Sequence, residues 1–263
     1  MNELRAFPTM LRIGFQELVA YRGEVLIWIL STTMPLIMYA VWSTIAQAGP
    51  VGRFDEATFA AYFLSTLVVR QLTSCWIVWE LNYAIRTGSF STLLLRPVSP
   101  IAYYAAENLG ALPFRFLVLL PVVGGAWLLL PNLPFQLTPG RIALYFFTTF
   151  LAWLLIFLFQ AIFGLLALYT EQSLSFQEAW FGLWAMLSGY LVPLELMPQV
   201  AVFARWLPFR AMGSLPTEIL LGHLSGTDLA LSIFAQLGWV VLTLILMRLV
   251  WARALLRYEA FGG

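Results

Sequence analysis

The chain has 263 residues, of which 61% are apolar and 10% charged, with a formal net charge of +1. Soluble domains carry about 45–50% apolar and about 25% charged residues, so a soluble globular domain and a disordered chain are both excluded, and the near-neutral balance excludes a nucleic-acid binder. All 14 basic residues are Arg and none is Lys, so the chain holds neither a Walker A lysine nor a Schiff-base lysine.

Long apolar runs recur along the whole chain, and the period-two pattern of a membrane barrel is absent. The expected fold is therefore an all-α integral membrane protein, with residues 1–263 forming one transmembrane domain. The first twenty residues show no compact apolar core of a cleavable signal peptide. In residues 3–22, Leu4, Phe7, Leu11, Phe15 and Leu18 recur at steps of three and four, with Glu3, Arg5, Arg12, Gln16 and Arg22 mostly opposite. That pattern predicts an amphipathic helix in the cytoplasmic interface, or an ordinary juxtamembrane extension.

Six spans follow, at about 25–46, 57–82, 101–130, 141–169, 174–193 and 229–251. Arg5, Arg12, Arg22, Arg86, Arg96, Arg248, Arg253 and Arg257 flank one side, against Arg53, Arg141, Arg205 and Arg210 on the other. This excess predicts that both termini are cytoplasmic.

The first cytoplasmic loop reads Asn82-Tyr-Ala-Ile-Arg86-Thr-Gly88-Ser89-Phe90-Ser-Thr-Leu93-Leu94-Leu-Arg96-Pro97-Val-Ser-Pro100. Gly88 ends the preceding helix and Ser89 is placed to cap a new one. Phe90, Leu93 and Leu94 share a face, and Pro97 stops the element. A two-turn helix over about 89–96 is expected. It either offers an apolar knob to a partner or lies on lipid headgroups.

Arg70 and Arg115 lie inside spans two and three, each about 18 Å from the cytoplasmic end. Facing lipid, each would cost at least about 2.5–3.5 kcal/mol, so both are expected to face protein or water. Thr66, Arg70 and Ser74 form one polar stripe, with Trp76 beyond it; Asn108 and Arg115 share another. The arginines either line a cavity that attracts anionic or polar cargo, or bond backbone carbonyls or a carboxylate of a neighbouring helix. Trp76, Trp79, Trp153, Trp180 and Trp184 could stack on cargo or simply pack.

Residues 194–222 make the longest outer segment. It is apolar, but Pro193, Pro198, Pro208 and Pro216 cut it into pieces too short to span. Two short re-entrant or interfacial helices fit, with Trp206 between them, and a loop folded over the helix ends is the alternative. His223 reads as a surface residue near Asp228.

Enzyme chemistry finds no support. One Cys (Cys75) and one His exclude an internal disulfide and a Cys/His metal cluster. The single His lies outside the spans, and the two Asp, Asp55 and Asp228, do too. An ion-coupled carrier or channel remains the rival class. It usually shows a mid-depth carboxylate and broken helices in both halves, and neither is read here.

Six spans with an interfacial N-terminal helix resemble the ABC-2 type transporter permeases. The stretch Gly88-Ser-Phe-Ser-Thr-Leu-Leu-Leu-Arg96-Pro97-Val-Ser-Pro100 is similar to that family's coupling helix, and Pro193–Pro216 to its re-entrant pieces. The tail Arg257-Tyr-Glu-Ala-Phe-Gly262-Gly263 resembles the multidrug or viologen-export branch. The resemblance implies a non-enzymatic half-transporter of the bacterial plasma membrane, pairing with an identical or homologous permease. Two cytoplasmic P-loop ATPases would hold the ATP and Mg, and this chain no cofactor or metal. Arg86 to Pro97 would dock them, and Pro193, Pro198, Trp206 and Pro208 would gate the outer side. The cargo would be a hydrophobic or amphiphilic small molecule, drug or lipid-like, exported by alternating access.

Overall fold

The computed structural model describes residues 3–20, 33–130, 132–170 and 172–258. The beginning of the first expected span lies outside the described residues, as do Arg22 and residues 259–263 of the tail motif. In chain order the helices are α1 (Glu3–Ala20), α2 (Met34–Ala46), α3 (Glu56–Thr73), α4 (Ile77–Arg86), α5 (Phe90–Leu94), α6 (Pro100–Gly110) and α7 (Leu112–Leu129). There follow α8 (Pro139–Leu165), α9 (Ser173–Leu187), α10 (Pro198–Ala204), α11 (Pro208–Met212), α12 (Ser214–Leu220) and α13 (Gly226–Leu255).

Among the described residues, four segments are long and apolar enough to cross a membrane: Glu56–Arg86, Pro100–Leu129, Pro139–Leu168 and Gly226–Leu255. The first and third are mostly buried against other protein, whereas few residues of the second and fourth are buried. That division puts α3, α4 and α8 at the centre and leaves α6–α7 and α13 as outer walls with apolar side chains suited to lipid. The starts of the central helices are set by their caps. Asp55 accepts from the Thr58 amide at 2.8 Å ahead of α3, and Thr138 accepts from the Arg141 amide at 3.4 Å with Pro139 at the first turn of α8.

Helix α1 packs along α6, and the two backbones meet at a glycine pair. A Cβ at Gly14 would fall 2.7 Å from Glu107 Cα, and one at Gly110 2.7 Å from Leu11 O. This crossing revises the expected apolar face of α1. Met10 and Gly14 turn inward, while Phe15 is left exposed, because only the glycine side allows so close an approach.

The fifth expected span ends early. Helix α9 has 15 residues, about 22 Å of rise against about 30 Å of hydrocarbon. Beyond Leu187 the backbone is irregular, and protein groups satisfy it. Ser188 O accepts from the Ser214 amide at 2.8 Å. Gly189 O accepts from the Tyr62 hydroxyl at 2.7 Å, and Leu191 O from Trp42 Nε1 at 3.1 Å. Irregular backbone inside the fold needs such partners. Gly189 has φ +82°, and a Cβ there would lie 2.6 Å from both Ser214 Cβ and the Tyr62 hydroxyl.

The outer segment then forms three helices of 7, 5 and 7 residues. Pro198 and Pro208 each open one, where the missing N–H costs nothing. Helices α11 and α12 pack on α8, and α12 also on α3. Gln236 on α13 joins this group, donating to Thr148 O of α8 at 2.9 Å and to Ala211 O of α11 at 2.8 Å.

Candidate functional site

Helix α4 stops at Gly88, which takes φ +76° as a left-handed cap. Helix α5 starts after Ser89, whose hydroxyl makes no cap and pairs instead with Thr87 at 3.0 Å. The helix is one turn and a half, shorter than the expected two turns. Its apolar face is also not the expected knob. Phe90 is fully buried, edge-on to Trp251 at 6.1 Å and to Tyr258 at 5.3 Å, and Leu93 and Leu94 pack against the same core. The Tyr258 hydroxyl donates to Gly88 O at 3.2 Å. The side chain left outside is Leu95, 86% exposed. Arg86, Ser89, Arg96 and Pro97 are exposed as well. Arg86 Nε donates to Asn82 Oδ1 at 3.0 Å, and the Arg96 guanidinium lies 5.0 Å above the Tyr103 ring.

The interior arginines separate into two roles. The segment expected as one second span breaks between Thr73 and Ile77, so Ser74 does not continue a helical stripe with Thr66 and Arg70. Arg115 Nη1 fills the break, donating to Ser74 O at 2.7 Å and Gln71 O at 3.4 Å. Asn108 Nδ2 adds a bond to Ser74 O at 3.3 Å, and Asn108 Oδ1 accepts from Trp153 Nε1 at 2.6 Å. Arg115 thus caps a helix end from a neighbouring helix, where the dipole favours a cation. Thr66 turns its hydroxyl back to Tyr62 O at 2.8 Å, and Trp76 packs on Trp79 with centroids 5.1 Å apart. Arg70 stands apart: its guanidinium carbon lies 5.3 Å over Trp184 and 5.8 Å over Phe181.

The capping role of Arg115 has a measurable consequence. Arg115→Met leaves two carbonyls without their charged donor and is expected to cost about 2–3 kcal/mol. Thermal unfolding in detergent checks this, with Arg115→Lys recovering part of the loss.

A cleft of about 640 Å³ lies between the 52–54 turn, α10–α12 and the start of α13. Trp206, 73% exposed, stands on its wall with Trp239, whose Nε1 donates to Trp206 O at 3.1 Å. Pro208 and Pro193 are buried behind it and Pro198 is exposed. Two ion-pair groups tie this region together. Arg210 Nη2 meets Glu218 Oε2 at 2.5 Å, and Ser214 Oγ donates to Glu218 Oε1 at 2.6 Å. Glu195 pairs with Arg53 and sits 2.8 Å from His223 Nδ1. His223 is therefore no surface residue; it stacks edge-on to Phe54 at 5.7 Å with its side chain 11% exposed. Sequence separation hides the Glu195 group, whose members come from the 52–54 turn, the 194–196 turn of helix and the loop before α13.

Burial pushes the Glu195 carboxyl up, and the bonds from His223 and Arg53 outweigh that and hold it below its ordinary 4.5. A lowered carboxylate contributes stability above its unfolded pKa and loses it as pH falls through the folded value. Wild-type thermal stability is accordingly expected to drop on acidification from neutral pH to below 4.5, and Glu195→Gln to flatten that part of the profile.

Glycine-paired and broken helices, interior cations satisfied by helix ends and aromatics, and apolar outer walls together define a polytopic helical membrane protein. The chain belongs to the ABC-2 family transporter proteins, whose family model matches residues 36–262. No protein of assigned function and no solved structure matches it. Family membership makes the chain a membrane subunit of an ABC transporter and not its ATPase, and it implies an ABC ATPase as partner.

Proposed function

We propose that this chain is the permease half of an ATP-driven exporter in the bacterial plasma membrane, with six spans and both termini cytoplasmic. It pairs with a second permease, identical or homologous, above two P-loop ATPases that carry the ATP and Mg. The cargo is a hydrophobic or amphiphilic small molecule, drug or lipid-like. The observation that carries the reading is the cytoplasmic tip: exposed Leu95 at the end of a short helix whose Phe90 is locked into Trp251 and Tyr258.

The mechanism follows from that contact. ATP-driven closure of the ATPases pushes on Leu95, Arg96 and Pro97. Phe90 passes the push to the cytoplasmic end of α13, a single helix of 30 residues. The other end of α13 lines the outer cleft through Leu231 and Trp239, beside α10 and α11. Movement of one rigid rod therefore couples the inner tip to the outer gate formed by Pro193, Pro198, Trp206 and Pro208. The test is copurification and transport. A P-loop ATPase should come out with the chain, and export should stop when its Walker lysine is replaced. Robust transport by this chain alone would overturn the reading.

A further inference from the structure

Arg70 is a cation with an unused donor. Its Nε is sealed from solvent without a hydrogen-bond partner, and so is the indole Nε1 of Trp184, whose ring lies under the guanidinium. The ion pairs among the described residues involve Arg53, Arg210 and His223, not Arg70. Its polar neighbour is the neutral Tyr190 hydroxyl. Arg115, the other interior cation, is spent on the carbonyls of the helix break and brings no negative charge. Two sealed N–H donors beside an uncompensated positive charge lack an acceptor, and an oxyanion supplies both the acceptor atoms and the charge.

The surroundings define the rest of the ligand. Phe181 stacks on Trp184 at 5.4 Å, and Trp184 lies 4.8 Å from Tyr190. Phe181 is 44% exposed, and a Cβ at neighbouring Gly182 would meet no atom within 4 Å. The half-exposed Phe181 ring, in contact with both Trp184 and the guanidinium, thus makes a flat aromatic wall from the surface of α9 to the half-buried Arg70. Aromatic walls alone would suit a cation, but Arg70 already occupies that position and repels a second one.

We propose that Arg70, Trp184 and Tyr190 receive the oxyanion head of an amphiphile whose flat apolar body lies along Phe181. Resting on the exporter reading, this makes the cargo an anionic amphiphile, carboxylate or phosphate, and not a cationic drug.

The test uses the purified full chain in phosphatidylcholine nanodiscs, without an ATPase, so its result is independent of whether an ATPase copurifies. Binding of 2-naphthoate is compared with that of its cationic twin, 2-naphthylmethyltrimethylammonium. Naphthoate should bind saturably and at least about tenfold more tightly than the twin, and Arg70→Gln should weaken it by about tenfold, with Arg70→Lys retaining most of it. Inorganic phosphate should not displace naphthoate, since it lacks the body. Competition by phosphatidylglycerol added to the nanodiscs would support the site and name a lipid headgroup as the source of the oxyanion. Equal binding of the two twins, naphthoate binding unchanged by Arg70→Gln, or displacement by phosphate alone would each overturn the proposal. Should Arg70→Gln fail to fold, the comparison of the twins on the wild-type chain decides.

Discussion

Gly189→Val is expected to prevent recovery of folded protein, at a cost of about 2–5 kcal/mol. The left-handed backbone at φ +82° penalises a β-carbon by about 1–2 kcal/mol. Overpacking at a tight site adds about 1–3 kcal/mol, and here the new atom would lie 2.6 Å from Ser214 Cβ and from the Tyr62 hydroxyl. Neither neighbour can move away freely. The Tyr62 hydroxyl is held by its own bond to Gly189 O at 2.7 Å, and Ser214 by its amide bond to Ser188 O at 2.8 Å. Gly238→Ala is the control. It sits inside α13 with no atom within 4 Å of a new Cβ, so the substitution should be neutral or stabilise by up to about 1 kcal/mol. Gel filtration and thermal unfolding of the two variants in the same detergent check the contrast. A Gly189→Val protein as stable as wild type would mean that the 188–189 and 213–214 segments do not cross as described.

That crossing also shows where the sequence was legible. The central helix α8 and the outer helix α13 are read directly from unbroken apolar runs, and among the prolines of 193–216 Pro198 and Pro208 announce short helices because each opens one with its missing N–H. The stop of α9 is harder to read. The apolar run continues to Pro193, yet the helix ends at Leu187, where Gly189 turns left-handed and Ser188 packs against Gly213 and Ser214. The break after Thr73 has no glycine or proline to mark it. It exists because Arg115 and Asn108, from the next span, satisfy the carbonyls that the helix releases. The reading of Arg115 as a carbonyl donor was open to the sequence, but the choice between that role and a cavity role was not, since it depends on a partner on another helix. The Glu195–Arg53–His223 group is the extreme case, because three segments far apart in the chain meet there. Phe90 fails for the same reason. Periodicity correctly groups it with Leu93 and Leu94, but only the position of Trp251 and Tyr258 turns that face inward.

Leu95→Glu is therefore expected to separate coupling from folding, where a charge at Phe90, Leu93 or Leu94 would confound the two. Leu95 is 86% exposed, so the folded permease loses almost nothing, within about 0.5 kcal/mol for a surface change. A docking surface reacts differently, because a carboxylate buried in an apolar pocket of the ATPase without a partner is strongly unfavourable. Association should weaken by at least about tenfold, equivalent to about 1.4 kcal/mol, and export should fall with it. Phe90→Ala gives the opposite pattern: removal of a fully buried ring costs about 3–5 kcal/mol of permease stability. Leu95→Ala should lie between wild type and Leu95→Glu in association and match wild type in stability. The decisive measurement is the thermal stability of the permease alone beside its affinity for the purified ATPase. If Leu95→Glu binds the ATPase as tightly as wild type and exports normally, the tip of α5 is not the docking point, and the route through Phe90 to α13 loses its starting end.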